Sequence, residues 1–459
     1  MALLLKYISE KIGIDKAIAY SSGARIVQAF TGVGSIFFIS TFLSGVEQGF
    51  YFTFCSIIAL QIFFELGLTG IMTQYVAHEA AHLEQDEQNV YQGNDKYKSR
   101  LASLIRFCLK WFTILALVIF VFLFAVGYIY FSRFGNNSIQ STEWLYPWIL
   151  VCVGTSIKFF ESPLTSILTG LGFVRDMNKI SFYQQIIIPI STWIGFVCGL
   201  KLYVLGIGYI LSTLVWFFFF FKDRLSLIIF NLLKVKITER VEYIKEIFPY
   251  QWRIALSWVS GYFIFQLFNP VIFATEGAVA AGQMGMTLQA LNAIQTFSFS
   301  WLNTKIPQYS KYIALKEYPQ LDILFNKTLK QMVSVCAILL VAFFGTIWAL
   351  QATKFTVNGN VVADRFLSGL PLAMVIIPVF LQQFVNSWAT YLRCHKKEPF
   401  LANSIVNGIL SGVSTIVLGN LFGLNGVTIG YCAIAVCMFP WAYWLYCSNK
   451  KKWHQTEEC

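Results

Sequence analysis

Residues 78–82 read His-Glu-Ala-Ala-His, inside the run "QYVAHEAAHLEQDE". Positions i and i+4 of a helix share a face. Two imidazoles at that spacing can bind one zinc ion, with the glutamate between them as general base, the chemistry of zinc proteases. The chain has only four histidines, and His78 and His82 are two of them. The surroundings argue against the metal. The motif begins where an apolar run ends and continues into Glu84, Asp86 and Glu87, a solvated acidic stretch. No later apolar run offers a central Asp or His as third ligand, and Glu84 would serve only by bending back on its own helix. The sequence favours a helix end here, with a membrane-embedded zinc protease as a remote alternative.

A second constellation lies in "WLYPWILVCVGTSIKFFESPLTSILTG", where Lys158 is near the middle and Glu161 follows one turn on. At i,i+3 they share a helix face and can pair. A charge so deep in an apolar segment costs about 3 kcal/mol, so it must face a cavity or a partner. Pro163 and Gly154 give this helix places to bend. Two readings stand: a cavity-lining site for an anionic substrate or coupling proton, and a structural ion pair between helices.

The elements that position these groups follow from composition. The chain has 459 residues, 57% hydrophobic and only 12% charged, with mean hydropathy +0.62. A soluble chain carries about 25% charged residues. Apolar runs such as 111–131 reach the roughly 20 residues needed to cross a bilayer. The expectation is an all-α integral membrane protein with about 12 transmembrane helices. They fall near 20–42, 49–70, 107–131, 144–170, 181–200, 203–221, 251–274, 279–301, 328–350, 366–392, 401–421 and 425–447.

With the N-terminus inside, only Arg133, Lys201, Lys354 and Arg365 of the 34 Lys and Arg fall in exterior loops, and Lys158 falls mid-span. That asymmetry places both termini in the cytoplasm. It also reads the net charge of +11 as a topology signal, with no nucleic-acid partner expected. The first residues, with Lys6, Glu10, Lys11, Asp15 and Lys16 among apolar positions, suggest an interfacial helix and no cleaved signal peptide. The ten cysteines read as small buried apolar residues. Trp144, Trp148, Trp301, Trp441 and Trp444 read as an interfacial belt. Gly195–Gly199, Gly408–Gly412 and Gly419–Gly423 match the spacing of close helix packing.

The chain divides into an N-terminal six-helix lobe, 1–225, an amphipathic cytoplasmic linker, 226–250, and a C-terminal six-helix lobe, 251–459. The halves correspond in order. Arg25 and "SGVEQGFYF" lead to Gln74-Tyr75, as Arg253 and "EGAVAAGQMGM" lead to Gln308-Tyr309. Repeats of even span number share one orientation, which is a two-lobe, alternating-access plan. Arg25 and Arg253, at matching places, could join Lys158 in a cationic chamber suited to phosphate, or snorkel to headgroups. Glu65 either pairs with one of these arginines or marks the interface. Gln28, Gln251 and Gln295 are sugar contacts or helix–helix hydrogen bonds. No phosphate-binding G-x-x-x-x-G-K-[ST] loop occurs, so energy would come from a gradient.

Three stretches carry a family resemblance: "SGVEQGFYFTF", "FFELGLTGIMTQYVAHE" and "SPLTSILTGLGFVRDMNK". With the twelve-span plan, they make the chain resemble the polysaccharide flippases, translocases of O-antigen or lipid-linked oligosaccharide. These belong to the multidrug/oligosaccharidyl-lipid/polysaccharide exporter (MOP) superfamily. The resemblance implies a MATE-like two-lobe transporter of the bacterial inner membrane, acting in surface polysaccharide and lipopolysaccharide biosynthesis. It implies a polyprenyl-pyrophosphate-linked glycan as substrate, with Arg25, Lys158 and Arg253 placed to receive it. Membrane lipids and a glycan polymerase of the same pathway are the other expected partners. No catalytic residue, metal or cofactor is expected. An ion-coupled drug or small-molecule exporter of the same superfamily is the alternative. Its pocket for cationic drugs would be dominated by mid-span acids, and only Glu161 lies at that depth here.

Overall fold

The computed structural model describes residues 16–86, 90–135, 140–357, 360–395 and 397–455. The expected interfacial helix at the start of the chain lies mostly outside the described residues. The chain is almost entirely helical. α1 is Lys16–Phe42, α2 is Gly45–Glu65 with a tightened turn at Ala59–Gln61, and α3 is Leu68–Ala80. A short antiparallel hairpin, β1 (Leu83–Gln85) with β2 (Tyr91–Gly93), precedes α4, Asp95–Phe134. Then come α5 (Ser141–Gly170), α6 (Val174–Val197), α7 (Tyr203–Lys222) and the short α8 (Leu225–Lys234). The second half holds α9 (Phe248–Phe265), α10 (Phe268–Glu276), α11 (Ala278–Asn303), α12 (Ile306–Ala314), α13 (Tyr318–Thr353), α14 (Gly369–Arg393) and α15 (Leu401–Gln455).

Among the described residues, eight helices are long and apolar enough to cross a membrane, and shorter apolar helices accompany them. Every expected span falls on helix. Two expected spans share α15, which breaks at Gly423, where φ is +56°. The peptide N–H of Leu424 donates to Glu276 Oε1 at 2.6 Å across that break. The second expected span ends early, because Leu66 and Gly67 adopt positive φ and separate α2 from α3. The chain is a multi-pass membrane protein.

Two compact units emerge. The first includes Leu60–Arg133 and Gln140–Trp258; the second includes Gly32–Ala59 and Val259–Cys459. α2 therefore packs largely with the second unit. Its start is fixed locally: the Ser44 hydroxyl accepts from the Glu47 N–H at 3.1 Å, and the Glu47 carboxylate accepts from the Ser44 N–H at 2.8 Å. Such a capping box contributes about 1 kcal/mol.

Inside the second unit α2 and α11 meet backbone to backbone at Gly49 and Gly282. A Cβ on Gly49 would lie 1.9 Å from the Ala278 carbonyl oxygen, and one on Gly282 would lie 2.9 Å from the Gly49 nitrogen. These glycines occupy corresponding places in the sequence repeat, so the repeat mates pack on each other. The Gly408 and Gly412 stripe behaves as its spacing suggests, packing on Ser260 and Phe263 of α9. Gly199 instead stops α6 in a left-handed turn, with φ +76° and nothing within 4 Å of a Cβ.

Two sequence expectations are corrected. Trp144 and Trp148 are not belt residues; they are buried to 1% and 0% exposure against Phe131. Gly127 makes the space, since its Cβ would fall 2.2 Å from the Trp148 ring. Trp444, 61% exposed, does face outward. The described cysteines are free thiols, but only some are buried: Cys108, Cys152, Cys336 and Cys432 are, whereas Cys198 and Cys437 are exposed.

Candidate functional site

Lys158 and Glu161 stand on α5 in the first unit. α5 and α7 approach closely because both carry glycine at the contact. A Cβ on Gly154 would meet Gly206 O at 3.1 Å, and one on Gly206 would meet the Val151 nitrogen at 2.8 Å. That approach brings Tyr209 beside α5, and the Lys158 ammonium lies 5.3 Å from the centre of its ring. A cation over a ring face is held electrostatically without another charge.

Glu161 points elsewhere. It is 6% exposed, and one oxygen accepts from the Gln184 amide of α6 at 2.9 Å. The same amide donates to the Ser212 carbonyl of α7 at 3.1 Å. The second oxygen has no hydrogen bond within reach among the described residues, although the buried Thr213 hydroxyl stands nearby. The i,i+3 spacing allowed an ion pair, yet among the described residues none within 4.0 Å joins Lys158 to Glu161. Tyr209 takes the lysine and Gln184 takes the glutamate. The result is a half-buried cation and a buried acid on one helix, each held by a different neighbour.

Three other expected polar residues have partners of their own. Glu65 closes α2 and accepts from the Thr69 hydroxyl across the break. Gln295 donates to the Val379 carbonyl at 3.2 Å in the second unit, the helix–helix bond that was its competing reading. Gln251 is buried and accepts from the Tyr243 hydroxyl. Arg25, Gln28 and Arg253 lie on helical backbone, but their side chains fall outside what the structure describes.

The His-Glu-Ala-Ala-His segment closes α3, and its glutamate is already engaged. Glu79 is 3% exposed and accepts from Arg100 Nε at 3.0 Å; Arg100 Nη2 reaches Glu246 at 2.6 Å. His82 stacks on Tyr97 with ring centres 3.9 Å apart. Among the described residues no group of three His, Cys, Asp or Glu could hold a metal ion. Arg100 thus ties α3 and α4 to the linker before α9. The Ser99 hydroxyl accepts from Thr238 N at 2.7 Å, and Arg106 donates to the Leu233 and Val235 carbonyls. No local pattern announces this clamp, because Arg100 lies 21 residues from Glu79 and 146 from Glu246.

Arg100→Ala would leave the Glu79 carboxylate buried without its cation. The expected cost is about 3 kcal/mol, read as a lowered unfolding temperature of the purified protein. Burial pushes Glu246 up, but the Arg100 hydrogen bond, the Glu242 backbone N–H and the Arg100 charge together outweigh it and hold the carboxyl below its usual value near 4.5. A depressed folded value means stability present above the unfolded value and lost as pH falls through the folded one. The clamp should hold at neutral pH and loosen only in acid, which hydrogen exchange over 236–247 measures.

A second residue that sequence reasoning passed over is Arg365. It is 4% exposed, and its Nη1 and Nη2 make no hydrogen bond among the described residues. Burial pushes its guanidinium below the usual value, while Glu47 and Asp364 pull the other way. Gln48 of α2 donates to both the Arg365 carbonyl, at 2.9 Å, and the Gly282 carbonyl, at 2.8 Å. Arg365 therefore sits at the end where α2 and α11 meet. Its position in a loop concealed this burial.

No protein-family profile matches the chain, and no curated protein sequence matches it. Solved structures do. A multidrug resistance MATE family transporter of the MOP superfamily, in its inward-facing conformation, aligns with TM-score 0.56 and 14% identity over 92% of this chain and 99% of that one. The lipid II flippase MurJ, inward closed, aligns with TM-score 0.57 and 13% identity over 93% and 86%. A MOP superfamily transporter from Pyrococcus furiosus, described by the reverse polarity of its binding pocket, aligns with TM-score 0.53 and 14% identity over 95% and 96%. The fold is that of the MOP transporters. The all-α, two-lobed architecture expected from the sequence is thus found. Within the MOP fold, Lys158 and Glu161 belong to α5, and Arg365 and Gln48 to the meeting of α2 with α11.

Proposed function

We propose that the chain is an alternating-access flippase of the bacterial inner membrane, moving a polyprenyl-pyrophosphate-linked glycan such as an O-antigen unit from the inner to the outer leaflet. The observation that carries this reading is Lys158, a half-buried cation held over an aromatic ring and, among the described residues, in no direct ion pair. Such a group remains available to an anionic diphosphate. The likeness in fold to a lipid II flippase supports a lipid-linked cargo. In this reading access alternates between the two leaflets, with the Gly45–Ala59 part of α2 moving as part of the second unit. Arg25 and Arg253 complete the cationic set, and the lipid tail stays in the bilayer. Both termini face the cytoplasm, on the strength of the charge asymmetry.

Glu161 is the proposed coupling group. A buried carboxyl with one oxygen bonded to Gln184 and Thr213 beside it can take and release a cation during the cycle. Glu161→Gln keeps an acceptor for Gln184 while removing the charge. In proteoliposomes it is expected to cut gradient-driven translocation about tenfold, equivalent to about 1.4 kcal/mol, with unfolding temperature unchanged. An unchanged gradient dependence would remove Glu161 from this role. The same buried acid favours the second reading, an ion-coupled exporter of cationic drugs, whose fold relatives include a multidrug transporter. Efflux of a cationic dye that survives Lys158→Ala and fails with Glu161→Gln would select it.

A further inference from the structure

Between α6 and α7, on the surface of the first unit, runs an apolar groove of about 460 Å³. Tyr183, Ile186 and Ile187 line it from α6, and Leu211, Leu214 and Phe218 from α7. It is open outward: Leu214 and Phe218 are 57% and 58% exposed. Nothing in the transport reading uses it.

One end of the groove is basic. The Lys222 ammonium lies 5.3 Å from the centre of the Phe218 ring, and the Lys179 ammonium 4.7 Å from that of Phe219, the next lining ring. Lys179 also pairs with Asp223 at 3.1 Å, which fixes the ends of α6 and α7 side by side. Arg175 and Arg224 are exposed neighbours in sequence, so four cations face two carboxylates, Asp176 and Asp223, at this end. The chain then turns at Arg224, with φ +57°, into α8. α8 buries Leu225, Ile228, Ile229 and Leu232 and exposes Leu227 and Phe230. A short helix with an exposed apolar edge and Lys234 at its end marks the level of the lipid headgroups.

An apolar slot closed by cations at headgroup depth has the charge and shape of an amphiphile in negative. We infer that this groove binds one acidic phospholipid of the adjoining leaflet, with an acyl chain between α6 and α7 and the phosphate on Lys222 and Lys179. The charge asymmetry of the sequence makes that leaflet the inner one. A cation near the membrane surface favours an acidic headgroup, and Asp223 partly offsets the pair.

The test is native mass spectrometry of the purified full chain, equilibrated with equal amounts of phosphatidylglycerol and phosphatidylcholine of identical acyl chains. Wild type should retain phosphatidylglycerol preferentially. Lys179→Gln with Lys222→Gln should lower that preference about tenfold. Asp223→Asn should raise it, an opposite sign that a merely unfolded variant would not give. Leu214→Trp, which fills the groove, should lower retention of both lipids. Preference unchanged in the charge variants, or retention unchanged in Leu214→Trp, would overturn the assignment. Two other outcomes would also overturn it. Polyprenyl phosphate binding there in place of phosphatidylglycerol would give the groove to a substrate tail. Dimers lost in Leu214→Trp would give it to a second copy of the chain.

Discussion

Lys158→Ala is expected to lower translocation of the lipid-linked glycan about a hundredfold while leaving the protein folded. The two halves of that result come from the same geometry. The ammonium is held over Tyr209 at 5.3 Å, and no direct ion pair among the described residues joins it to Glu161, so its removal breaks no salt bridge. The Gln184 bond to Glu161 survives. What is lost in stability is one cation–π contact and some packing, about 1 kcal/mol. What is lost in function is a charge-assisted contact to a diphosphate away from water, about 3 kcal/mol. Lys158→Arg keeps the charge and the ring contact and should retain most of the activity. Surface glycan measured in cells, beside unfolding temperature of the purified variants, reads both quantities. A large fall in unfolding temperature for Lys158→Ala would show that the lysine is structural.

Gly49→Ala is expected to be strongly destabilising. The added Cβ would lie 1.9 Å from the Ala278 carbonyl oxygen and 2.5 Å from its carbon, and neither atom can rotate away. α2 and α11 must separate. Separation also strains the two bonds of Gln48, a side chain 1% exposed. Overpacking of this kind costs about 3 kcal/mol, and each weakened buried hydrogen bond about 1 kcal/mol more. A fall in unfolding temperature matching about 5 kcal/mol is the expected measurement. Gly70→Ala is the control: it lies in α3 with nothing within 4 Å of a Cβ. There the better helix former should be neutral or stabilise by up to about 1 kcal/mol. Equal effects at the two positions would contradict a backbone-to-backbone α2–α11 contact at Gly49.

The sequence declared what depends on local pattern. Apolar run length located the spans, whereas Gly199 and Gly423, whose spacing suggested helix packing, interrupt helices at positive φ. Lys158 and Glu161 were legible because charge is costly in an apolar segment, but their partners were not. Tyr209 and Gln184 are ordinary residues until α5, α6 and α7 pack. The same holds for Glu79, whose place in a metal-like motif suggested catalysis and whose partner Arg100 gives it a structural task. Trp144 and Trp148 misled for a related reason. Position near a span end suggested an interface, whereas Gly127 on α4 had made room for one of these rings inside. Arg365 was counted as a loop cation, and only the tertiary structure buries it.

The central claim is that this MOP fold moves a diphosphate-linked lipid by means of Lys158. The most direct measurement places the purified chain in proteoliposomes with a fluorescent polyprenyl-pyrophosphate oligosaccharide and follows its accessibility to a membrane-impermeant quencher. The account expects the protected pool to become accessible with wild-type protein and to stay protected with Lys158→Ala. Accessibility that develops equally with both proteins, or with neither, would contradict it.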